Sequence, residues 1–506
     1  MIAVKARLDA WLGRITMYRL MLWVLGVLAA YSMVLNVLGW LTFGLPAMAV
    51  HLVLCLGLSY GSNRLVALLF RVRPHAESSL ITGLLLYFLF WPTELAPSVS
   101  VPDLAGVALA CVAASTSKYV LAFRGRHIFN PAAAGAFIAS LTGLNIATWW
   151  AATPAMLWAV VPGVLLVLYR TRKFPMACAF LLVAIAIVST ELLRTGIALG
   201  PALWQPLAQR PLLFFVGFML TEPLTLPPRR LQQLAVAVVV AVLFTVPYNL
   251  AIVANSPELA LLVGNVLAFF LGQRGGIMLR FNGSRSLTPS STEFRFEPQR
   301  PLRFLPGQFM ELNLPHSRSD GKGRRRVFSI TSAPGSPEVT FGVGTAEPLS
   351  SAKQALLALE PGERISGTAV GGDFVLPSDA GRPVLLIAAG IGITPFLSQL
   401  TPDHSAKRDV VVLYLARSAD EIAGQDLLAA SGARVIARLA DGSTPPSFMH
   451  DAGRQRIDSS SLRDLVPDIA GRDVYVSGSP SSVDSLRAAA RTAGARRVHV
   501  DSFAGY

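Results

Sequence analysis

The sequence predicts a polytopic α-helical membrane domain, followed by an antiparallel β-barrel and a doubly wound α/β domain. The chain has 506 residues, of which 53% are hydrophobic and only 15% are charged, a composition too apolar for a soluble protein of this size. Its long apolar runs stop near residue 273, where short β-type runs begin, and a chain of this length needs more than one core. We therefore predict three domains, comprising residues 1–273, 274–378 and 379–506.

The apolar part of the chain contains about ten segments that approach the length of a membrane span, for which about 20 residues are needed. The candidate segments are 17–38, 43–60, 79–96, 101–118, 131–148, 155–169, 175–193, 211–226, 231–250 and 257–272. Several are short or contain Gly and Pro, which is tolerated where a helix lines a protein cavity that can hold a cofactor. We interpret the first segment as an uncleaved span, because its apolar run is too long for a signal peptide.

Basic residues are concentrated in the loops of the apolar part. Residues 1–274 contain 18 Lys and Arg against 7 Asp and Glu, whereas residues 275–506 contain 26 against 23. A basic excess in short loops is typical of positive-inside topology, and the balanced second half argues against nucleic acid as a partner. With an even number of spans, this topology predicts a multi-pass protein of a bacterial inner membrane, in contact with the lipid bilayer and with cytoplasmic N- and C-termini.

The three cysteines, Cys55, Cys111 and Cys178, lie far apart in or beside apolar runs. This spacing offers neither a zinc cluster nor a disulfide framework, and three thiols are too few for a four-thiolate iron–sulfur site. We expect the cysteines to be small apolar packing residues. The sequence therefore predicts no metal site.

The pattern of the chain changes twice after the apolar part. Residues 275–292 are predicted to be a linker. From Glu293 to about Pro377, short β-type runs are separated by Gly and Pro, which is typical of an antiparallel barrel. From Arg382 onward, strands alternate with helical stretches, as in a doubly wound parallel sheet. The predicted parallel strands are 384–389, 410–416, 434–439, 473–477 and 497–500.

The segment Arg326–Ser329 (RVFS) combines three side chains suited to a flavin dinucleotide. An arginine can form a bidentate pair with a diphosphate, a flat aromatic ring can stack on a flavin, and a hydroxyl can bond to its edge. Together with the preceding Arg303–Met310 (RFLPGQFM), the segment resembles the flavin motif of the ferredoxin–NADP reductase superfamily. The resemblance implies that FAD is bound by Arg326 and Phe328, with Ser329 bonded to its reactive nitrogen edge as a catalytic residue.

Two further clusters fit the same resemblance. A pair of serines precedes a predicted helix over Lys353–Leu359, where the family binds the flavin pyrophosphate, and the N-terminus of a helix favours phosphate. A later GGDF segment matches the family's Gly-x-x-Phe turn below the flavin. The residues thereby implied in FAD binding are Ser350, Ser351, Gly371, Gly372 and Phe374.

The segment Ile387–Phe396 (IAAGIGITPF) closes a predicted strand and opens a helix. Its two glycines let a diphosphate approach the backbone, and the segment closely resembles the nicotinamide-side motif of the same superfamily. The resemblance implies NADPH or NADH as the second nucleotide. The implied binding residues are Gly390, Gly392, Thr394 and Pro395.

Three positions nearer the end of the chain extend this site. Ser477 stands where the family has a cysteine that helps to position the nicotinamide. The segment Asp501–Tyr506 resembles the family's terminal aromatic tail, and the resemblance implies that Phe503 covers the flavin until the nicotinamide displaces it. Together with Ser329, both are predicted to be catalytic residues. Arg417 follows the second parallel strand, where a basic residue could meet the 2′-phosphate of NADP or lie in a solvated loop.

The apolar part of the chain carries two polar signatures at the predicted cytoplasmic ends of spans. Gly125–Ala132 (GRHIFNPA) and Phe218–Pro227 (FMLTEPLTLP) are similar to segments of the ten-span flavin subunits of Rnf complexes and sodium-pumping NADH:quinone reductases. Polar groups near a membrane are costly unless they bind a ligand or each other. The resemblance implies flavin binding by Arg126, Asn130, Thr221 and Thr225.

In these subunits FMN is joined to a threonine by a phosphoester bond on the outer side of the membrane. Thr153 fits that position and is followed by a proline, although the serine and glycine that precede the family's threonine are absent here. A membrane flavin, FMN or riboflavin, could therefore be linked to Thr153, held without a covalent bond, or absent. Trp149 and Trp150 could stack on such a flavin or lie in the interfacial aromatic belt.

These features favour an NAD(P)H-oxidising flavoprotein of the membrane. Electrons would pass from the nicotinamide via FAD to a membrane flavin, and then to a quinone or to an acceptor protein on the outer face. A haem-dependent ferric reductase or oxidase would need paired histidines within spans, and only His51 lies within one. A transporter with a nucleotide-sensing redox domain is the third alternative, because inverted repeats and broken helices would suit transport.

Overall fold

The computed structural model describes residues 16–503 except 73, 75, 95–99, 124–125, 251–252, 273–276, 315–323, 402–404 and 406–407. The chain folds into two compact units, Thr16–Gly275 and Gly276–Tyr506, which we call the helical unit and the C-terminal unit. Gly125 of the first polar signature and residues 504–506 of the aromatic tail lie outside the described residues.

Apolar helices make up most of the helical unit. They are α1 (Met17–Val37), α2 (Leu45–Leu69), α3 (Ala76–Leu89), α4 (Val101–Val120), α5 (Pro131–Leu141), α6 (Leu157–Thr171), α7 (Phe174–Arg194), α8 (Leu199–Gln209), α9 (Leu212–Phe215), α10 (Arg230–Thr245) and α11 (Pro257–Phe270). Two short hairpins accompany them, β1–β2 (Ala122–Phe123 and Arg126–His127) and β3–β4 (Asn249–Leu250 and Val253–Ala254).

Four helices of this unit are long and apolar enough to cross a membrane: α1, α2, α7, and α6 with the turn before it. Each of the predicted apolar segments contains a helix, but several of these helices are short, and a count of ten spans stays a prediction. α5 ends at Leu141, because the chain turns at Thr142 and then at Gly143, which has a left-handed backbone. α8 was not predicted, since its sequence was assigned to a loop.

Prolines and polar caps set where two short helices begin. α5 begins at Pro131, and the Asn130 side chain accepts a hydrogen bond from the amide of Ala133. α11 begins at Pro257, and Ser256 caps it in the same way. Proline suits the first helical position because it lacks an N–H that would have no partner there, and a capping oxygen satisfies a free amide. The cap formed by Asn130 and the proline that follows it therefore place Asn130 at the start of α5.

The C-terminal unit begins with a six-stranded antiparallel sheet. Its strands are β5 (Ile277–Thr288), β6 (Ser291–Pro298), β7 (Phe309–Asn313), β8 (Arg325–Ser329), β9 (Val339–Gly344) and β10 (Arg364–Gly371). They lie in the order β8-β7-β10-β5-β6-β9. A bridge between Ile330, just after β8, and Phe341 of β9 joins the two edges of the sheet. The sheet thereby encloses a core of aromatic and aliphatic side chains, as the antiparallel barrel prediction requires.

β5 shows that the linker predicted over residues 275–292 was wrong. Leu279 and Phe281 are buried in the barrel core, and the strand pairs with both β10 and β6. The rest of its middle, residues 282–287, is not buried. A strand that buries so few side chains lacks the sustained alternation by which strands are recognised in a sequence.

The rest of the C-terminal unit is a six-stranded sheet in which every pairing is parallel. Its strands are β11 (Val384–Ala389), β12 (Val410–Ala416), β13 (Arg434–Leu439), β14 (His450–Asp451), β15 (Asp473–Gly478) and β16 (Arg497–Ser502). The helices of the unit are α12 (Ser351–Leu357), α13 (Thr394–Gln399), α14 (Gln425–Ala430), α15 (Ser459–Leu465) and α16 (Pro480–Ala493). One hydrophobic cluster lies on each face of the parallel sheet, so the doubly wound prediction is confirmed.

Candidate functional site

The parallel sheet reverses its strand order between β11 and β15. The order is β14-β13-β12-β11-β15-β16, so the chain adds strands on one side of β11 and then crosses to its other side. In doubly wound sheets, ligands bind outside the carboxyl ends of the strands at such a switch point. The glycines of the predicted nicotinamide motif follow β11, and Ser477 is the last residue but one of the neighbouring strand β15. The topology therefore brings the glycine motif and Ser477, which were predicted separately, to one place in the structure.

The turn after β11 requires glycine at two positions. Gly390 has a left-handed backbone with φ +56°, which side chains disfavour. A Cβ on Gly392 would lie 2.2 Å from the carbonyl oxygen of Ser477. The turn then enters α13, where the Thr394 hydroxyl donates to the Ile391 carbonyl at 3.0 Å and Pro395 stands in the first turn.

Ser477 places a polar atom at the switch point. The residue is 0% exposed, and its hydroxyl has no hydrogen-bond partner among the described residues. A buried polar group without a partner costs about 1–3 kcal/mol, so we expect an atom of a bound ligand to complete it. The backbone amide of Phe503 donates to the Gly478 carbonyl at 2.9 Å, which brings the start of the aromatic tail to the same strand end.

A contact that sequence reasoning missed joins this turn to the barrel. A Cβ on Gly342, in β9, would lie 2.7 Å from the methyl group of Thr394. A glycine inside a strand often marks such a close approach, which is the signal that could have identified Gly342. The turn after β11 thus lies against both the parallel sheet and the barrel.

A second junction between the barrel and the parallel sheet forms around the predicted segment Arg303–Met310. The amide of Gly307 donates to the Ser398 hydroxyl at 2.9 Å, and Gln399 Nε2 donates to the Phe374 carbonyl at 2.7 Å. A Cβ on Gly307 would lie 2.0 Å from that carbonyl oxygen. Ser398 and Gln399 were not predicted, because nothing in the local pattern distinguishes them from ordinary helix residues.

The GGDF turn packs between the barrel and the core of the parallel sheet. Gly372 has φ +109°, and its carbonyl accepts a hydrogen bond from Gln308 Nε2 at 3.1 Å. Gly371 pairs with Phe309 at the end of β10. The ring of Phe374 packs 5.5 Å from Phe396 and 5.3 Å from Tyr475, within the core of the parallel sheet. Contact between these residues and a flavin stays a prediction.

The predicted flavin motif lies on β8 with most of its side chains inside the barrel. Arg326 is 1% exposed, and its Nη1 donates to the Arg325 carbonyl at 2.8 Å. Phe328 is buried, with its ring 6.4 Å from Phe341. Ser329 is buried at the end of the strand, opposite Phe309. The structure brings the three residues together, and their contacts with a flavin stay predictions.

The serine pair begins a helix, as predicted, but two residues earlier in the chain. Ser350 caps α12 by accepting a hydrogen bond from the amide of Lys353 at 3.4 Å, and Ser351 is the first helical residue. Burial lowers the pKa of the Lys353 ammonium group. Its Nζ lies close to Gly344, since a Cβ there would be 4.0 Å away. Lys353 was predicted only as a helix residue, yet it is a cation at the position proposed for a pyrophosphate.

Arg417 is exposed at the carboxyl end of β12. Its backbone carbonyl accepts a hydrogen bond from the Asp441 amide at 2.9 Å. β12 is parallel to its neighbour β11, so Arg417 lies on the same side of the sheet, at the carboxyl ends of the strands, as the glycine turn that follows β11. The two predictions for Arg417, a 2′-phosphate contact and a solvated loop residue, both remain open.

In the helical unit, the two polar signatures meet at Glu222. Asn130 Nδ2 donates to one Glu222 carboxylate oxygen at 2.8 Å, and His127 Nε2 lies 3.2 Å from the other. Arg126 Nε donates to the Leu224 carbonyl at 2.7 Å. The backbone amide of Asn130 also donates to Asn265 Oδ1 at 2.8 Å, a partner that sequence reasoning missed.

The hydroxyl groups of the two threonines in the second signature also have hydrogen-bond partners within the protein. Thr221 is buried and its hydroxyl donates to the Gly217 carbonyl at 3.3 Å, while the buried Thr225 donates to the Glu222 carbonyl at 3.2 Å. Sequence reasoning expected the polar groups of the signatures to bind a ligand or each other. These contacts favour the second possibility, in which the polar groups bind each other.

Thr153 differs from these threonines. It precedes the turn Pro154–Met156, and its hydroxyl is buried without a hydrogen-bond partner among the described residues. The residue lines a cavity of about 420 Å³ together with Trp40, Pro154, Ala155 and Trp158. A buried hydroxyl without a partner on a cavity wall is a group that a ligand can complete.

Both roles expected for Trp149 and Trp150 were wrong. The two rings are 4% and 5% exposed, so neither lies in an interfacial belt nor offers an open face to a flavin. Trp149 Nε1 donates to Glu258 Oε2 at 3.2 Å, and Trp150 Nε1 donates to the Tyr87 carbonyl at 2.7 Å. Large aromatic groups with a satisfied N–H pack well in an interior. Within the described part of the chain, no group of three or more His, Cys, Asp or Glu residues could hold a metal ion.

Comparison with known proteins relates the C-terminal part of the chain to reductases. It is 30% identical over 235 residues to an NADPH oxidoreductase of Mycobacterium tuberculosis, a match that covers 44% of this chain and 59% of the relative. It is 30% identical over 203 residues to the ferredoxin–NAD(+) reductase component of an alkene monooxygenase system of Xanthobacter autotrophicus, covering 37% and 57%. The C-terminal region resembles a ferredoxin–NADP reductase-like module. The chain thus spans less than two thirds of the length of these relatives.

Comparison with solved structures adds no argument about function. A ferredoxin–NADP⁺ reductase of Neisseria gonorrhoeae with bound FAD and NADP is 18% identical, with a TM-score of 0.39 over 45% of this chain and 98% of the other. No family model matches the chain. The similarity of the helical unit to Rnf-type flavin subunits stays a prediction.

Proposed function

We propose that this protein is a membrane-bound NAD(P)H-oxidising flavoprotein that passes electrons from the C-terminal unit into the helical unit. The observation that carries the proposal is the meeting of the Gly390–Ile393 turn, Ser477 and the start of the aromatic tail at the switch point of the parallel sheet. Nucleotides bind at this place in doubly wound sheets. The relatives named NADPH oxidoreductase and ferredoxin–NAD(+) reductase support the same reaction class.

The residues of the barrel fit FAD. Arg326 supplies a guanidinium group for a diphosphate, and the start of α12 supplies free amides beside the ammonium group of Lys353. Phe328 and Ser329 follow Arg326 on the same strand. When bound, FAD accepts the two electrons of a hydride and can release them one at a time. The protein's part is to hold the cofactor and to exclude water from it.

The residues of the parallel sheet fit a nicotinamide nucleotide. Gly390 and Gly392 allow close approach of a diphosphate to the backbone, and Thr394 is held by its contact with Gly342. Ser477 offers a hydroxyl that lacks a partner among the described residues, which could accept or donate a bond to the nicotinamide amide. Phe503 begins the tail that would leave when the nicotinamide arrives. A contact between Arg417 and a 2′-phosphate would favour NADPH, whereas an Arg417 that stays in a solvated loop would leave no such preference.

The helical unit is proposed to span the membrane and to carry a flavin at Thr153. Four helices of sufficient length and apolarity support the placement. The unpartnered Thr153 hydroxyl on a cavity of about 420 Å³, between the exposed rings of Trp40 and Trp158, supports an FMN phosphoester there. The side chains of the polar signatures already have hydrogen-bond partners within the protein around Glu222. We therefore propose that their main role is to hold the two signatures together, and that flavin contact is a secondary role. The side chains concerned are those of Arg126, Asn130, Thr221 and Thr225. A quinone or an outer-face protein would accept the electrons.

The test is to purify the full chain in lipid nanodiscs, extract its flavins and measure NADPH and NADH oxidation with a soluble quinone as acceptor. We expect FAD in the extract and acceptor-dependent oxidation of at least one nucleotide. Arg326→Lys keeps a charge but cannot form a bidentate pair, so it should lower FAD content, whereas Arg434→Lys, at an exposed site on β13, should not. A chain that binds no FAD, or that oxidises neither nucleotide, would contradict the proposal.

A further inference from the structure

The buried face of α2 is polar, although α2 is one of the helices long and apolar enough to cross a membrane. His51, Cys55, Ser59 and Asn63 recur at intervals of four residues and are all buried, so they form one line along the helix. Exposed positions of the same helix include Val53, Leu65 and Leu68. The helix therefore has its apolar side outward and its polar side towards the interior of the helical unit. We call this line, with its partners on neighbouring helices, the polar column.

At one end of the polar column, His51 meets two neutral side chains. Its Nε2 lies 3.8 Å from the Cys55 sulfur, and its ring centroid lies 5.6 Å from that of Tyr87. The carbonyl groups of Tyr87 and Phe90 also face the ring. The hydroxyl of Tyr87 is 3.1 Å from the hydroxyl of Ser32 on α1, which extends the column by one more group.

The middle and the other end of the polar column are built by α4. The Cys111 thiol donates to the Cys55 carbonyl at 3.9 Å. The Ser115 hydroxyl donates to the Ser59 carbonyl at 3.2 Å and accepts a hydrogen bond from Ser62 at 2.8 Å. The Tyr119 hydroxyl then donates to Asn63 Oδ1 at 3.1 Å.

The length of the polar column is comparable to the membrane interior. From His51 to Asn63 the helix rises roughly 18 Å at 1.5 Å per residue, and the Tyr87–Ser32 pair extends it further. The hydrocarbon core of a bilayer is about 30 Å thick. Beyond Asn63 and Tyr119, Lys118 donates to the Ser78 carbonyl at 3.1 Å, so polar groups continue at that end. The column crosses most of such a core.

Two buried atoms of the polar column lack hydrogen-bond partners in the described part of the chain, which is not expected of side chains that only join helices. The Nδ1 of His51 and the hydroxyl of Ser59 are buried and have no hydrogen-bond partner among the described residues. Polar side chains that only join helices would have such atoms satisfied. Buried polar atoms without protein partners are commonly completed by internal water. Water at these two positions would give both atoms a partner and add two groups that can carry a proton to the column.

We propose that the polar column is a proton path through the helical unit, with His51 as the group that holds a proton in transit. Hydroxyl, thiol and imidazole groups and water each accept a proton on one side and release another on the opposite side, so transfer leaves the groups unchanged. A sodium ion would instead need several oxygen ligands at each position, and sulfur and nitrogen atoms interrupt the oxygens here. Proton relays are a known use of polar side chains inside membrane spans.

This inference rests on the proposed placement of the helical unit in a membrane. It also adds a role to the proposed electron transfer. Reducing a quinone to a quinol consumes two electrons and two protons, whereas a nicotinamide donates two electrons and one proton as a hydride. A path for protons inside the helical unit would supply them where the electrons arrive.

The test uses the full chain in liposomes that contain a trapped pH-sensitive dye. A potassium gradient with valinomycin sets a membrane potential, and the internal pH change measures proton flux. We expect flux above that of empty liposomes, and we expect His51→Gln and Ser59→Ala to lower it to the empty-liposome rate. Ser189→Ala is the matched control, because Ser189 is also a buried serine, with its hydroxyl bonded to the Ala202 carbonyl at 2.8 Å outside the column.

Three results would overturn the proton path. The first is wild-type flux equal to that of empty liposomes, and the second is unchanged flux in both His51→Gln and Ser59→Ala. The third is sodium uptake that is lost in the same variants while proton flux is kept. Anaerobic reduction of FAD by NAD(P)H, measured on the same liposomes, separates this inference from the proposed function. Intact FAD reduction with no proton flux sinks only the path, and proton flux without FAD reduction sinks only the proposed reductase.

Discussion

Gly392 lies directly against the carbonyl group of Ser477, since a Cβ on Gly392 would be 2.2 Å from that oxygen. The two residues stand next to the carboxyl ends of β11 and β15, where the strand order of the parallel sheet reverses. This close approach requires a residue without a side chain. It therefore ties the predicted nicotinamide turn to the buried hydroxyl of Ser477.

Replacing Gly392 with alanine should impair nucleotide use while leaving FAD in place. The new methyl group would meet backbone atoms of Ser477 and Gly478, which cannot move aside as a flexible side chain can. We expect a rise in KM for NAD(P)H of at least about tenfold, the change that corresponds to 1.4 kcal/mol. Steady-state kinetics and flavin extraction measure the two effects. The control is Gly471→Ala, because a Cβ there meets open space, and equal kinetics of the two variants would refute this role for Gly392.

Replacing Ser477 with alanine should stabilise the nucleotide-free protein and slow catalysis. The substitution removes a buried hydroxyl that has no partner among the described residues, so stability should rise by about 1 kcal/mol. Hydride transfer should slow because the nicotinamide loses a contact. Ser398→Ala is the matched control, since its hydroxyl accepts from the Gly307 amide and its loss should destabilise the same unit. Urea unfolding and kcat measure both effects, and a destabilised Ser477→Ala protein would count against the assignment.

FAD affinity should fall as pH rises towards the lowered pKa of Lys353. Burial favours the neutral amine of this residue, which lowers its pKa below the usual value, and a bound diphosphate favours the ammonium form. At neutral pH the positive charge assists binding, and at alkaline pH it is lost. Lys353→Met should weaken FAD binding at neutral pH and flatten this dependence, whereas Lys353→Arg should keep the affinity to higher pH. Fluorescence titration of FAD across the pH range would show an unchanged profile in Lys353→Met if the residue does not face the cofactor.

The same shift has a consequence for the flavin-free protein. Between the lowered folded pKa and the usual pKa of the unfolded chain, the unfolded state binds more protons at Lys353 than the folded state does. Stability should therefore rise with pH in that alkaline window. Comparison of Lys353→Met with the wild-type chain in urea isolates this contribution, because the variant cannot titrate at this position.

Mass spectrometry of the Thr153 peptide should detect an added FMN when the chain is produced with a flavin transferase. The hydroxyl of Thr153 is buried without a protein partner among the described residues, and the residue lines a cavity with Trp40 and Trp158. Thr153→Val should remove the added mass. Thr148→Val is the control, since the Thr148 hydroxyl already donates to the Leu89 carbonyl at 3.3 Å. An FMN mass on another threonine would end the Thr153 assignment.

Asn130→Ala should destabilise the helical unit by about 2 kcal/mol, because it removes both a helix cap and a hydrogen bond to a carboxylate. Glu222→Gln should be less damaging, since an amide oxygen can still accept from Asn130. Thermal unfolding of the two variants and the double variant gives their coupling energy. Additive effects would show that the Asn130–Glu222 contact contributes little to stability.

The sequence predicted the parallel sheet closely, because buried parallel strands are continuous apolar runs with clear boundaries. β11 and β12 lie where they were expected. It did not predict β5, whose buried residues Leu279 and Phe281 are followed by a long unburied stretch. It also did not predict α8, because a proline inside so short a segment is typical of a loop.

Motifs identified single residues of the site better than the contacts that hold them. Gly392 and Ser477 were found separately, but their contact depends on strand order, which a linear pattern does not contain. The contact of Gly342 with Thr394 likewise joins two sheets. In the helical unit, Arg126 and Asn130 were identified from a resemblance, and only the fold revealed that Glu222 brings their signatures together.

The most direct test of the proposed reductase is anaerobic stopped-flow reduction of the flavin by NADPH and NADH in the full chain. We expect at least one nucleotide to bleach the visible flavin band of the wild-type protein within the time of a turnover. We also expect Gly392→Ala, with FAD still bound, to lose most of this rate while Gly471→Ala keeps it. FAD that stays oxidised with both nucleotides would contradict the proposed reductase.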